Sequence, residues 1–243
     1  MILGAIILGA VARHRPADVP HDPPAFVPAA FACDTESCRQ ISTPSAPLAP
    51  SPSLGGRGER DSCSVFTSGE IDLTGDGNQE RVKLDEGVIT IFQDDNVVWQ
   101  SPSAWTVVDL ALGDPNDDGR YEIIAAFWRD DAEGVPRNQP FIIGYRQGQY
   151  RTLWGGSPIA EPIVELALAD VTGDGVEELI VLEAAPGGEG PVPVAATVAV
   201  WRWHGWGFSR MWRSEEGRYQ ELSLVPGVDG DPATFAVHAS LPD

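Results

Sequence analysis

Asp72-Leu73-Thr74-Gly75-Asp76-Gly77-Asn78-Gln79-Glu80 is the stretch that decides the fold, because it returns twice. Its second copy is Asp114-Pro115-Asn116-Asp117-Asp118-Gly119-Arg120-Tyr121-Glu122, and its third is Asp170-Val171-Thr172-Gly173-Asp174-Gly175-Val176-Glu177-Glu178. The copies start 42 and 56 residues apart. Self-similarity at such spacing marks a repeat architecture. The flanks repeat as well. Val107–Leu112 and Val164–Ala169 precede the second and third copies, and Arg81–Leu84, Ile123–Phe127 and Leu179–Leu182 follow the three. These are short β-rich runs bounded by turn residues.

Each unit then carries two more strands around a tight polar turn. They are Val88–Phe92 with Val97–Gln100, Phe141–Tyr145 with Tyr150–Trp154, and Thr197–Trp203 with Phe208–Arg213. Each unit closes on a tryptophan, Trp99, Trp154 or Trp212, which reads as a packing residue because aromatics dominate β cores. Trp201 and Trp203 fall on one face of their strand by alternation, with Trp206 beside them at a hairpin tip. A fourth unit runs from Tyr219–Val225 through a degraded loop, Asp229-Gly230-Asp231, to Thr234–His238. The expected fold is all-β: propeller-type four-stranded antiparallel blades, about three and a half of them, forming an incomplete or small propeller.

The loops follow Asp-x-(Thr/Asn)-x-Asp-Gly-x-x-Glu. Oxygen ligands at positions 1, 3 and 5, a main-chain carbonyl at 7 and a carboxylate at 9 would wrap one hard cation. Calcium takes about six to eight oxygens in flexible geometry, whereas magnesium tends to keep its waters. Glycine at position 6 (Gly77, Gly119, Gly175) permits the sharp turn. Carboxylates gathered this closely repel one another without a cation. The EF-hand is a poor match, because its bidentate Glu stands at position 12 and helices flank its loop.

With these residues the chain resembles the FG-GAP/VCBS repeat family, the calcium-binding blades of integrin alpha-type propellers, over about residues 64–240. The resemblance implies about three Ca2+ ions. The first would be held by Asp72, Thr74, Asp76, Asn78 and Glu80, and the second by Asp114, Asn116, Asp118, Arg120 and Glu122. The third would be held by Asp170, Thr172, Asp174, Val176 and Glu178, with Asn78, Arg120 and Val176 using carbonyl oxygens. The family's Phe-Gly and Gly-Ala-Pro signatures are absent, and its closed propellers have about seven blades.

The rest of the chain bounds the function. A net charge of −20, from 36 Asp+Glu against 16 Lys+Arg, leaves no basic stripe for nucleic acid or for an anionic membrane surface. Residues 1–12 read as an export signal or short anchor, with Ala10-Val11-Ala12 as a cleavage pattern. Residues 13–61 read as a disordered Pro/Ser/Ala-rich linker, and residues 62–243 as the calcium-binding repeat domain. Among three cysteines, Cys33 and Cys38 could close a small loop in an oxidising compartment, leaving Cys63. No nucleophile elbow, zinc motif or phosphate loop is present, so no catalytic residues and no enzyme are expected. The expected role is a secreted or cell-surface module that binds a protein or glycan in adhesion, with structural calcium. The alternatives are a structural subunit completed by self-assembly or by a partner chain, and a non-catalytic part of a polysaccharide-active system. Any membrane contact would run through the N-terminal anchor.

Overall fold

The computed structural model describes residues 30–33, 38–40, 68–156, 162–184, 196–225, 227 and 231–239. The expectations for residues 1–12, for most of 13–61, for Cys63 and for Asp229 and Gly230 lie outside them. The described residues contain no helix long and apolar enough to cross a membrane.

Among the described residues, sixteen strands form four four-stranded sheets. The first sheet holds β3 (Ser68–Ile71), β4 (Glu80–Asp85), β5 (Val88–Gln93) and β6 (Asn96–Gln100). The second holds β7 (Thr106–Gly113), β8 (Glu122–Asp130), β9 (Pro136–Arg146) and β10 (Gln149–Gly155). The third holds β11 (Ile163–Ala169), β12 (Glu178–Ala184), β13 (Ala196–Trp203) and β14 (Phe208–Arg213). These three are antiparallel meanders with their strands in chain order. The fourth is ordered β15 (Tyr219–Val225), β16 (Thr234–Ala239), β1 (Ala30–Cys33), β2 (Cys38–Gln40). The unit grammar read from the sequence thus holds as four-stranded sheets. The second hairpin is longer than expected, because Asp131 accepts the Glu133 and Val135 N–H groups at 3.0 and 2.8 Å and turns the chain there.

The linker expectation needs correcting at β1 and β2. The sequence offers no apparent β-rich segment within 13–61 to finish the fourth unit, yet β1 pairs in parallel with β16, and β2 pairs antiparallel with β1. Phe31 lies opposite Ala236, and Cys33 lies opposite both His238 and Cys38. A run of four residues and one of three, set among prolines and serines, show no alternation to read. What recruits them is the otherwise open edge of β16. Ala32→Pro would put a proline into the middle of this ladder, where Ala32 faces Val237 on one side and Arg39 on the other. Hydrogen exchange at Phe235–Val237 is expected to be slow in the dilute wild-type monomer and fast in the variant. Equal rates would mean that β1 does not cover this edge.

Successive sheets pack face to face through period-2 alternation. In β8, Ile123, Ala125 and Phe127 face the first sheet, while Ile124 and Ala126 face the third. In β12, Leu179 and Val181 face the second sheet, while Ile180 and Leu182 face the fourth. Strands covered on both faces read as continuous apolar runs. β4 alternates instead: Glu80, Val82 and Leu84 are buried, and Arg81 and Lys83, which alternate with them, are partly exposed. Among the described residues, core clusters join sheets one to two, two to three and three to four. The three tryptophans take equivalent places: Trp99 opposite Ile91, Trp154 opposite Ile142, Trp212 opposite Val200. Each packs, half-buried, against a core cluster. Trp201 and Trp203 both belong to the cluster between sheets two and three, whereas Trp206 is 79% exposed.

Buried acids also latch the leading strands together. Asp109 of β7 accepts the Leu166 N–H of β11 at 2.9 Å, and Glu165 of β11 accepts the Leu222 N–H of β15 at 2.6 Å. Burial pushes Glu165 up to about 7, against the pull of the Leu222 N–H and with help from the Asp109 and Glu221 charges. Between the ordinary value of 4.5 and about 7, the folded protein therefore holds a proton that the unfolded chain releases. Glu165 favours the fold at the acid end of that window, and the contribution is lost as pH rises through it. Glu165→Gln keeps an acceptor for Leu222 and removes the titration. Its melting temperature relative to wild type is expected to climb from about pH 5 to about pH 8. A flat difference would contradict the assignment.

Candidate metal centre

The three acidic loops are equivalent connections, joining the first strand to the second in three successive sheets: β3 to β4, β7 to β8 and β11 to β12. Their internal hydrogen bonds follow one plan. The first aspartate takes the backbone N–H of the glycine at position 6: Gly77 to Asp72 at 2.8 Å, Gly119 to Asp114 at 2.8 Å, Gly175 to Asp170 at 2.7 Å. Its other oxygen takes the N–H of position 5: Asp76 at 3.2 Å, Asp118 at 3.0 Å, Asp174 at 3.2 Å. The fifth-position aspartate takes the N–H of position 7, that of Asn78, Arg120 or Val176, at 2.8 to 3.1 Å. That leaves the carbonyl of position 7 free of these loop bonds. The position-6 glycines have φ of +88°, +79° and +88°, a conformation in which any side chain is strained.

These bonds set the charges. The Gly77 N–H, with those of Gly75 and Asp76, holds the Asp72 carboxyl below its ordinary range. Burial opposes the same effect at Asp170, but the N–H groups of Gly175, Gly173 and Asp174 prevail. Thr74 donates its hydroxyl to Glu80 at 3.3 Å, Thr172 donates to Asp170 at 3.3 Å, and Asn116 accepts the Asp118 N–H at 3.1 Å. The third-position residues thus join each loop's own network.

The closing glutamates Glu80, Glu122 and Glu178 are each 0% exposed. Glu80 and Glu178 accept the N–H of position 2, from Leu73 at 2.8 Å and Val171 at 3.1 Å. The second loop has Pro115 there, which has no N–H to give. Glu122 Oε2 is accordingly buried with no hydrogen bond, whereas Glu178 Oε1, also without one, lies 3.1 Å from the Arg202 guanidinium. Burial pushes Glu122 and Glu178 up to about 7, against the pull of Arg146 on Glu122 and of the Val171 N–H and Arg202 on Glu178. Asp114, Asp118 and Glu122 bring one oxygen each within 4.8 Å of one another. An orphaned buried carboxylate oxygen among convergent carboxylates fits a hard, oxygen-loving cation.

Neighbouring loops touch. Glu177 of the third loop accepts the Asp114 N–H of the second at 2.7 Å, through a gap that a Cβ on Gly113 would fill. Ala233, in the β15–β16 connection, donates to the Asp170 carbonyl at 2.9 Å. A groove of about 410 Å³ adjoins the first loop, lined by Thr74, Gln93, Trp99, Tyr145, Gln149 and Tyr150, none of them formally charged. Burial, with the nearby Glu80 charge, raises the Tyr150 phenol and keeps it neutral.

Sequence reading named fifteen residues of the three loops as ligands but not Arg146 and Arg202, which reach into the second and third loops. A signal existed: each arginine stands 28 residues after the fifth-position aspartate of its loop. Asp109 and Glu165 were missed too, though each stands five residues ahead of a loop. No family model matches the chain, and no curated protein does.

Proposed function

We propose that this chain is an exported, non-catalytic binding or adhesion module of the FG-GAP/VCBS type, a propeller-like β-repeat carrying about three structural calcium ions in its acidic loops. One observation carries the reading. The same hydrogen-bond plan, with a fully buried closing glutamate, recurs at the same strand connection in three successive sheets. Oxygen is the only donor type in all three loops, which selects hard cations over zinc or copper. Asp72, Thr74, Asp76, Asn78 and Glu80 would hold one ion, Asp114, Asn116, Asp118, Arg120 and Glu122 the second, and Asp170, Thr172, Asp174, Val176 and Glu178 the third. A bound calcium ion would supply two positive charges to each carboxylate cluster and tie both ends of a loop together.

The ligand surface is best placed at the groove beside the first loop, where aromatic faces and neutral amides suit an uncharged saccharide. A glycan array probed in calcium and again in chelator tests this. Binding in calcium that disappears in chelator supports the reading, and no binding to any neutral glycan in calcium removes the glycan from it. A second reading, an arc completed by another copy of the chain, is favoured by the partly exposed Arg81 and Lys83 face of the first sheet. Light scattering decides it: a monomer at all concentrations excludes the second reading.

A further inference from the structure

The second and third loops hold a cation of the protein's own. Arg146, at the end of β9, sets Nη2 2.5 Å from Asp118 Oδ2 and 2.5 Å from Glu122 Oε1. Arg202, on β13, donates to Asp174 Oδ2 and lies 3.1 Å from Glu178 Oε1. The two guanidinium groups join the same pair of loop positions, the fifth and the ninth, in successive sheets.

They arrive by different routes, which argues against coincidence of register. Arg202 follows Trp201, the partner of Leu179, and so sits beside Glu178. In the second sheet the matching place belongs to Gly144, next to Ile143, the partner of Ile123. A Cβ at Gly144 would come within 2.7 Å of the Glu122 side chain. Arg146, two residues on, reaches back through the space this glycine leaves, and its side chain is 18% exposed. In the first sheet the matching place belongs to Gln93, next to Phe92, the partner of Arg81. Among the described residues no ion pair reaches Asp72, Asp76 or Glu80.

We propose that Arg146 and Arg202 are resident counter-ions of the second and third loops, that calcium enters those loops only by displacing them, and that the first loop fills ahead of both. The proposal rests on the calcium reading of the loops. A guanidinium offers one charge through directional hydrogen bonds, and charge-assisted bonds are the strong ones. Calcium entering the second loop must take Asp118 Oδ2 and Glu122 Oε1 from Arg146, and calcium entering the third must take Asp174 Oδ2 and Glu178 Oε1 from Arg202. Calcium entering the first loop breaks no ion pair. The arginines also keep the second and third loops formed without metal, so the protein has one open site and two guarded ones.

Calorimetric titration of calcium into the chelator-stripped full chain tests this, using wild type, Arg146→Gln and Arg202→Gln, each checked for its β-sheet circular dichroism. The wild type is expected to show one tighter site and two weaker ones. Each glutamine variant is expected to tighten one weaker site by about tenfold or more, the worth of a lost competing charged hydrogen bond. Arg146→Lys and Arg202→Lys keep a charge on a compact, more strongly hydrated ammonium in place of the guanidinium Nη2 that touches both carboxylates of its loop. Their affected sites are expected to fall between the wild type and the glutamine variants, and they decide the matter if a glutamine variant fails to fold. Sites that none of these substitutions tightens would overturn the proposal while leaving the calcium reading intact. Absence of calcium binding in the wild type and all variants would overturn both.

Discussion

Stripping calcium from the protein is expected to lower its melting temperature by about 5–10 °C for each saturated loop that is emptied. A ligand bound only by the native state stabilises it by about 2.7 kcal/mol at a hundredfold excess over its dissociation constant. In a domain of about 150–250 residues, each kcal/mol moves the midpoint by about 2–4 °C. Asp114, Asp118 and Glu122 converge within 4.8 Å, and Glu122 is wholly buried, so three carboxyls face the single charge of Arg146 in the empty loop and a divalent ion offsets more of their repulsion. Scanning calorimetry in calcium, in chelator and in chelator followed by excess magnesium measures the effect. Calcium should restore the midpoint and magnesium should restore much less of it, because magnesium sheds its waters reluctantly. An unchanged midpoint in chelator would contradict the assignment of these loops.

Glu178→Ala is expected to cost about 3 kcal/mol even in chelator, a fall of about 6–12 °C. Glu178 accepts the N–H of Val171, itself buried, and that donor would be left without a partner. Leaving a buried donor unsatisfied costs about 1–3 kcal/mol. Arg202 loses one of its two carboxylates, and the side chain leaves a cavity in a closely packed loop. Glu178→Gln separates the two roles of the residue. The amide oxygen still accepts from Val171, so the metal-free midpoint should fall less than in Glu178→Ala, by the lost Arg202 pairing alone. The gain on adding calcium should shrink, because the ninth-position charge is gone. If both variants melted alike in chelator, the Val171 contact would not be what Glu178 contributes to the fold.

The acidic loops were legible because each is nine contiguous residues whose spacing carries its own chemistry. The first three sheets were legible for a related reason: their strands are consecutive, and each hairpin closes locally on Trp99, Trp154 or Trp212. β1 and β2 were not legible. They are short, and their pairing with β16 joins Phe31 to Ala236 across nearly the whole chain, so no local pattern announces it. Arg146 and Arg202 escaped for another reason. An arginine at the end of a strand reads as a solvated residue until its distance from the loop is compared between repeats, and the Gly144 that admits Arg146 carries no signal without its neighbours. The latches made by Asp109 and Glu165 were hidden because an acid inside an apolar run looks exposed until a backbone N–H from the next sheet is placed against it.

The measurement that tests the account most directly is a count of bound calcium by equilibrium dialysis of the full chain, repeated for Asp72→Ala, Asp114→Ala and Asp170→Ala. These aspartates each anchor their own loop through the position-6 glycine N–H. About three ions per wild-type chain are expected at saturating calcium, and one fewer in each variant. A wild-type chain that retains no calcium, or a count that none of the three substitutions lowers, would contradict the calcium reading.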